Sequence, residues 1–171
     1  MNSNKKLIED KFLKLLSENI IVKSNQSFKI KLFLDRSKAS FQIAKFHENP
    51  PEEPEKIFWY YWAITISYYS MLYSAKAIIL SKGYEVKTHE SAEIALSYLL
   101  IPDELEKEDL ILLNQAHKIF EDEYVKYFQD GRTESYVSRY NARPGYTERQ
   151  LKQILENSRK FISKIFLMLD R

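Results

Sequence analysis

Apolar residues along this chain return, segment after segment, at the spacing of a helix. Between residues 4 and 21, Ile8, Phe12, Leu15, Leu16 and Ile20 recur at close to 3.6 residues, with lysines and acids between them. After the polar break Lys23-Ser24-Asn25-Gln26, a second helix is predicted over residues 27–46, with Ile30, Phe33, Leu34, Ser37, Phe41 and Ala44 on one side. Residues 28–32 also alternate like a strand, but that alternation is short and the helical match runs on for about four turns, so helix is preferred. Pro50, Pro51 and Pro54 then stop it, since proline lacks the amide proton and restricts its predecessor.

A long apolar helix is predicted over residues 55–81, ending near Gly83, which suits the left-handed conformation common just past a helix. Thr88 can cap a shorter helix that runs to about residue 99, and Pro102 closes it. Asp103 and Glu106 have capping-box spacing, which predicts a helix from there to about residue 128 with the stripe Leu110, Leu113, Ala116, Phe120, Tyr124, Tyr127 and Phe128. Asp130-Gly131 breaks or kinks it, residues 132–140 can add a further helical turn or two, and Pro144-Gly145 is a turn. Thr147 and Gln150 form a second capping box ahead of the cleanest stripe in the chain: Leu151, Ile154, Leu155, Phe161, Ile162, Ile165, Phe166 and Leu169. With no convincing period-two window beyond residues 28–32, the expected fold is all-α, an antiparallel four- to six-helix bundle.

A length of 171 residues fits one domain, here 1–171, with an N-terminal helical pair over 1–50 and a core over 55–170. There are no cysteines, which excludes disulfides and thiolate metal sites and is compatible with cytosol. A net charge of +2 from nearly balanced acids and bases gives no global field of the kind an obligate DNA binder carries. The N-terminal helix carries charges throughout, unlike a signal peptide, so a cytoplasmic location is expected. Residues 57–80 are long enough to cross a bilayer and hold Lys76 alone as a charge, yet Tyr60, Tyr61, Tyr68, Tyr69, Tyr73, Thr65 and three serines make a poor lipid face. A buried central helix is expected instead, with no membrane partner.

Candidate chemistry is sparse. His47, His89 and His117 are scattered and show no metal-ligand spacing, so no metal and no other cofactor is implied. His117 lies mid-helix beside the core stripe, where a hydrogen-bonded structural role is the simpler reading. His89 directly follows the Thr88 cap, and a helix start favours anions. Gly83, Gly131 and Gly145 are too far apart to form a phosphate loop. Residues 132–146 hold Arg132, Arg139 and Arg143 with Tyr136, Tyr140 and Tyr146, a composition that can clamp phosphate and stack on a base. The plainer alternative pairs these arginines with acids of the preceding helix and packs the tyrosines on the bundle end.

Two segments carry a family resemblance. Residues 67–89 place the aromatics Tyr68, Tyr69 and Tyr73 and the small residues Ser67, Ser70, Ser74 and Ala75 on one helix, followed by Gly83 and then Thr88-His89 opening the next. Arg139 and Ala142 precede a turn and a capped amphipathic helix containing Ser158 and Phe161, with Ser158 where alanine is usual. Over residues 55–170 this resembles the HEPN domain, a helical bundle that usually dimerises. The resemblance implies nucleotide or RNA phosphate binding, and the toxin-like or regulatory half of a toxin–antitoxin pair whose partner protein is a minimal nucleotidyltransferase. Any activity it implies is that of a metal-independent ribonuclease with an Arg, four to six residues and a His. Arg139 and Arg143 can stand for the arginine, but no histidine follows His117 and Tyr146 holds the approximate place. A phenol with a reference pKa of about 10 is a poor base at neutral pH, so catalysis is in question while phosphate binding by Arg139, Arg143, Arg132 and His89 is not. The contrasting expectation is a non-catalytic helical dimerisation or interaction module. A homodimer is expected on either reading, since the tyrosine surplus exceeds what one small core readily buries.

Overall fold

The computed structural model describes residues 3–49, 56–101, 103–130 and 148–170. Within them lie six helices and one two-stranded sheet: α1 (Ser3–Ser17), β1 (Ile21–Lys23), α2 (Phe28–Phe46), α3 (Lys56–Ser81), β2 (Tyr84–Val86), α4 (His89–Leu99), α5 (Lys107–Asp130) and α6 (Glu148–Leu169). The all-α bundle expected from the periodicity is therefore present. Thr147 and the predicted turns over residues 131–146 fall outside the described residues.

The sheet is the main departure from the sequence reading. β1 and β2 pair antiparallel, with Ile21 opposite Val86, Val22 opposite Glu85 and Lys23 opposite Tyr84. Three residues per strand are too few to show a period of two, so neither strand has a signature of its own. They are set up by the two helix ends before them. Asn19 takes the left-handed conformation (φ 56°) after α1, while Ile20 N–H donates to Leu15 O and Asn19 N–H to Leu16 O, a Schellman closure. Gly83 (φ 85°) does the same after α3, with its N–H on Leu80 O. Each reversal throws the chain out extended, and the two extended pieces meet.

The segment over residues 28–32 is helical, as its longer periodicity predicts. α5 starts at Lys107, later than the spacing of Asp103 and Glu106 suggests. Residues 103–105 instead form a turn in which Glu104 and Leu105 N–H both reach Leu100 O, and the cap comes from Asp109, whose carboxylate accepts Glu106 N–H at 2.9 Å.

α3 packs against α2, α4, α5 and α6 and forms the centre of the bundle. The stretch Trp62–Ser81 is apolar and long enough to cross a membrane, but 78% of it is buried inside the protein. Its serines explain how neighbouring helices come close. Ser67, Ser70 and Ser74 are fully buried, and their hydroxyls donate back to Ala63 O, Ser67 O and Met71 O at 2.6–2.8 Å. The polar group is thus satisfied inside its own helix, which leaves a surface of small side chains. Ser37 of α2 donates across to Ser70 O at 2.8 Å, and Ser158 of α6 lies over Ser67 O. A larger core holds Phe12, Tyr68, Met71, Ile78, Leu96, Leu113, Phe161 and Ile165, and a smaller one joins Ala44, Tyr60, Ile64, Leu151 and Ile154.

One ion pair ties the sheet to α2. The Glu85 carboxylate accepts from Ser24 Oγ and from Lys29 Nζ at 2.9 Å, and these hydrogen bonds, Ser24 first, hold its pKa below the usual carboxylate value. A depressed folded-state pKa stabilises above the unfolded value and loses that stabilisation as pH falls through the folded one. Glu85→Gln should accordingly cost about 0.5–1 kcal/mol at neutral pH. Thermal melts of the parent and variant should converge when repeated in acid.

Candidate functional site

α4 begins where it does because Thr88, in an extended conformation, accepts Ser91 N–H at 3.1 Å while Ser91 Oγ accepts Thr88 N–H at 3.0 Å. This is a capping box with serine in the usual place of Glu or Gln. Lys87 N–H donates to Ile20 O at 3.1 Å, so the β1–β2 pairing carries on to the edge of the cap and fixes it against α1. The small sheet therefore places His89, the first residue of α4.

His89 meets side chains from two other helices. Its Nδ1 is hydrogen-bonded to the hydroxyl of Tyr68, a residue of α3 that is only 1% exposed. Its ring stacks on His117 of α5, with centroids 4.8 Å apart and planes 21° apart. Tyr68 also stacks on His117, at 5.3 Å and 23°, so the three rings form a triangle, and Tyr69 adds an edge-on contact to His89 at 6.4 Å. Behind His117, its Nδ1 lies 3.8 Å from Glu93 Oε1, both side chains being mostly buried. The Asn114 amide, oriented to donate, reaches the same carboxylate at 2.7 Å. Asn114 thus positions the Glu93 carboxylate beside His117, and the Tyr68 hydroxyl fixes His89 through its Nδ1. The two imidazoles sit half-buried at the rim of the core, and His89 is held through its Nδ1. Fixing one ring nitrogen in this way determines what the other presents.

Of the residues singled out in the sequence, His89 is in this cluster. Arg132, Arg139, Arg143 and Tyr146 fall outside the described residues. His117, which its sequence position marks as a hydrogen-bonded structural residue, is the stacking partner of His89. A signal for it is present: His89 and Glu93 are four apart on α4, and Asn114 and His117 three apart on α5, so each pair shares a helix face. Among the described residues, no group of three His, Asp or Glu side chains stands together to hold a metal ion.

Tyr68→Phe tests the arrangement without opening a cavity. Losing the hydroxyl leaves His89 Nδ1 without that bond, which should cost about 1–2 kcal/mol in denaturant unfolding. The His89 imidazole signals should move in a nuclear magnetic resonance spectrum.

The family model of the HEPN domain matches residues 32–167, well over half of the chain. The chain belongs to the HEPN family. No curated protein matches it in sequence. The HEPN match starts inside α2, earlier than the resemblance at residue 55, and runs through α6, so it takes in the whole Tyr68–His89–His117 cluster.

Proposed function

We propose that this HEPN-family chain binds the phosphate of a nucleotide or an RNA at the His89–His117 pair, with Arg139 and Arg143 as the main guanidinium contacts and Arg132 a lesser one. The observation that carries this reading is the stacking of His117, from α5, on the hydrogen-bonded His89 imidazole at the N-terminus of α4. An imidazole retains an N–H donor in either protonation state, and the start of a helix attracts negative charge.

The same geometry favours binding over cleavage. In phosphodiester transfer the attacking and leaving oxygens lie on opposite sides of phosphorus, so a general base and a general acid must face each other across it. Rings stacked 4.8 Å apart and only 21° from parallel address a ligand from one side. Tyr146 is a weak substitute for the missing motif histidine, because a phenol with a reference pKa of about 10 gives up its proton poorly at neutral pH. The proposed role is the toxin-like or regulatory half of a pair with a minimal nucleotidyltransferase, in which ribonuclease activity is absent or residual. Family membership supports this pairing, and an adjacent short reading frame with Gly-Ser followed by Asp-x-Asp would strengthen it. The competing reading is a helical interaction module that binds no phosphate.

Titration of the full chain with adenosine triphosphate and with a short RNA, followed by calorimetry, decides between the two. His89→Ala and His117→Ala should each weaken binding about tenfold. Affinity equal to the parent in both variants, or no binding by the parent, overturns the proposal.

A further inference from the structure

Two cations meet at the seam between α2 and α3 without an acid of their own. Phe33 of α2 stacks on Tyr73 of α3 with ring centroids 6.4 Å apart, and the Arg36 guanidinium lies 5.8 Å from the centroid of the same ring. Lys76 follows Tyr73 by three residues, so it stands on the same face of α3, and it is half-buried there. Among the described residues neither Arg36 nor Lys76 forms an ion pair, and the Arg36 N–H groups have no acceptor. Asp35 is exposed and points about 100° round α2 from Arg36. The carboxylate that faces Lys76 is Glu85 of β2, and it is already engaged, by Lys29 Nζ at 2.9 Å and by the Ser24 hydroxyl. Burial lowers the Lys76 pKa from its usual value, Arg36 lowers it further, and Glu85 opposes them only in part. Keeping Lys76 charged is therefore costly in the ligand-free protein, and an anion between it and Arg36 relieves that cost.

We propose that Arg36 and Lys76 form a second anion site, apart from the histidine pair, that takes a terminal phosphate: the phosphomonoester of a nucleotide or of a strand end. Charge decides the class of ligand. Glu85 and Lys29 cancel, which leaves two positive charges. A phosphomonoester carries about −1.5 to −2 at neutral pH and matches them, whereas a backbone phosphodiester or a carboxylate brings a single charge. The guanidinium offers a planar fork to two phosphate oxygens, and the ammonium a point charge to the third. Tyr73 holds the guanidinium in place beforehand. Tyr69 lies 6.4 Å from Tyr73 and 6.4 Å from His89, so a base attached to the phosphate has rings beside it on which to stack.

Calorimetry of the full chain reads the site directly, using adenosine against adenosine 5′-monophosphate and a short RNA with a 5′-hydroxyl against the same RNA with a 5′-phosphate. The phosphorylated member of each pair should bind about tenfold tighter, and Arg36→Gln or Lys76→Met should erase the difference. Lys76→Met keeps the length of the side chain and removes a half-buried charge, so its melting temperature should equal or exceed that of the parent. Glu85→Gln should enlarge the difference, since the opposing charge is gone. The two sources separate by affinity: adenosine 5′-monophosphate binding as tightly as the phosphorylated RNA assigns the site to nucleotides, and weaker binding assigns it to strand ends. Equal affinity for the phosphorylated and hydroxyl forms overturns the proposal, as does a difference that survives both Arg36→Gln and Lys76→Met. The histidine pair is tested apart from this site, because His89→Ala should leave the phosphate-dependent difference intact. A difference lost in His89→Ala and kept in Lys76→Met places the terminal phosphate at the histidines and overturns the second site alone.

Discussion

Phe161→Ala should destabilise the protein by about 3–5 kcal/mol, lowering the melting temperature by on the order of 10 °C. Phe161 is 1% exposed and sits in the larger core, among Phe12, Met71 and Ile165 from three helices. Truncation removes its transfer free energy and leaves a cavity that three separately anchored helices cannot close. Leu167→Ala is the matched control. It lies six residues further along α6 and is 67% exposed, so its loss should stay within about 0.5 kcal/mol. Guanidinium unfolding of both variants checks the pair. Equal losses would mean that the buried face of α6 is not the one described.

α6 was legible because its stripe is nearly strict. Spacing alone places Leu151, Ile154, Leu155, Phe161, Ile162 and Ile165 on the apolar face, and all are buried. α3 was legible for a different reason: it is apolar on most sides, and only a central position satisfies such a helix. Local chemistry also identifies Thr88 as a cap and Gly83 as a reversal, and both act so. What sequence spacing could not supply was partnership between elements. β1 and β2 lie some sixty residues apart, and each is defined only by the other. Tyr68, His89 and His117 belong to three helices, so the site exists only once α3, α4 and α5 are packed. Half of each face pattern is present locally, in the pairs His89 with Glu93 and Asn114 with His117. Nothing local says that the two faces look at each other.

Small serines on α3 let neighbouring helices approach and enclose Tyr60 and Tyr68. Composition records how much aromatic surface must be covered, and packing decides from which side. Among the described residues the most exposed aromatics, Phe28 and Phe46, are on α2, a helix whose apolar residues are spread round it, and Trp62 of α3 is exposed as well.

The largest functional effect is expected from Arg139→Ala combined with Arg143→Ala. On the phosphate-binding reading, the double replacement should weaken nucleotide or RNA binding by about 1.5–3 kcal/mol for each charge-assisted hydrogen bond removed, because a guanidinium fork engages two phosphate oxygens at once. Both arginines precede the start of α6 at Glu148 in the chain, and the free amides of a helix start add to the attraction for an anion. His89 and His117 contribute neutral or singly charged donors, so their removal should cost less than that of the arginine pair. Binding measured at two salt concentrations separates the two contributions further. With fewer cations on the phosphates, fewer counterions are released on binding, so the double arginine variant should show a flatter dependence of log affinity on log salt. Circular dichroism and the melting temperature should remain those of the parent. A double variant that unfolds would make the arginines pairing partners of the acids on α5 instead, and one that folds and binds as the parent does would remove the phosphate-binding role from this segment.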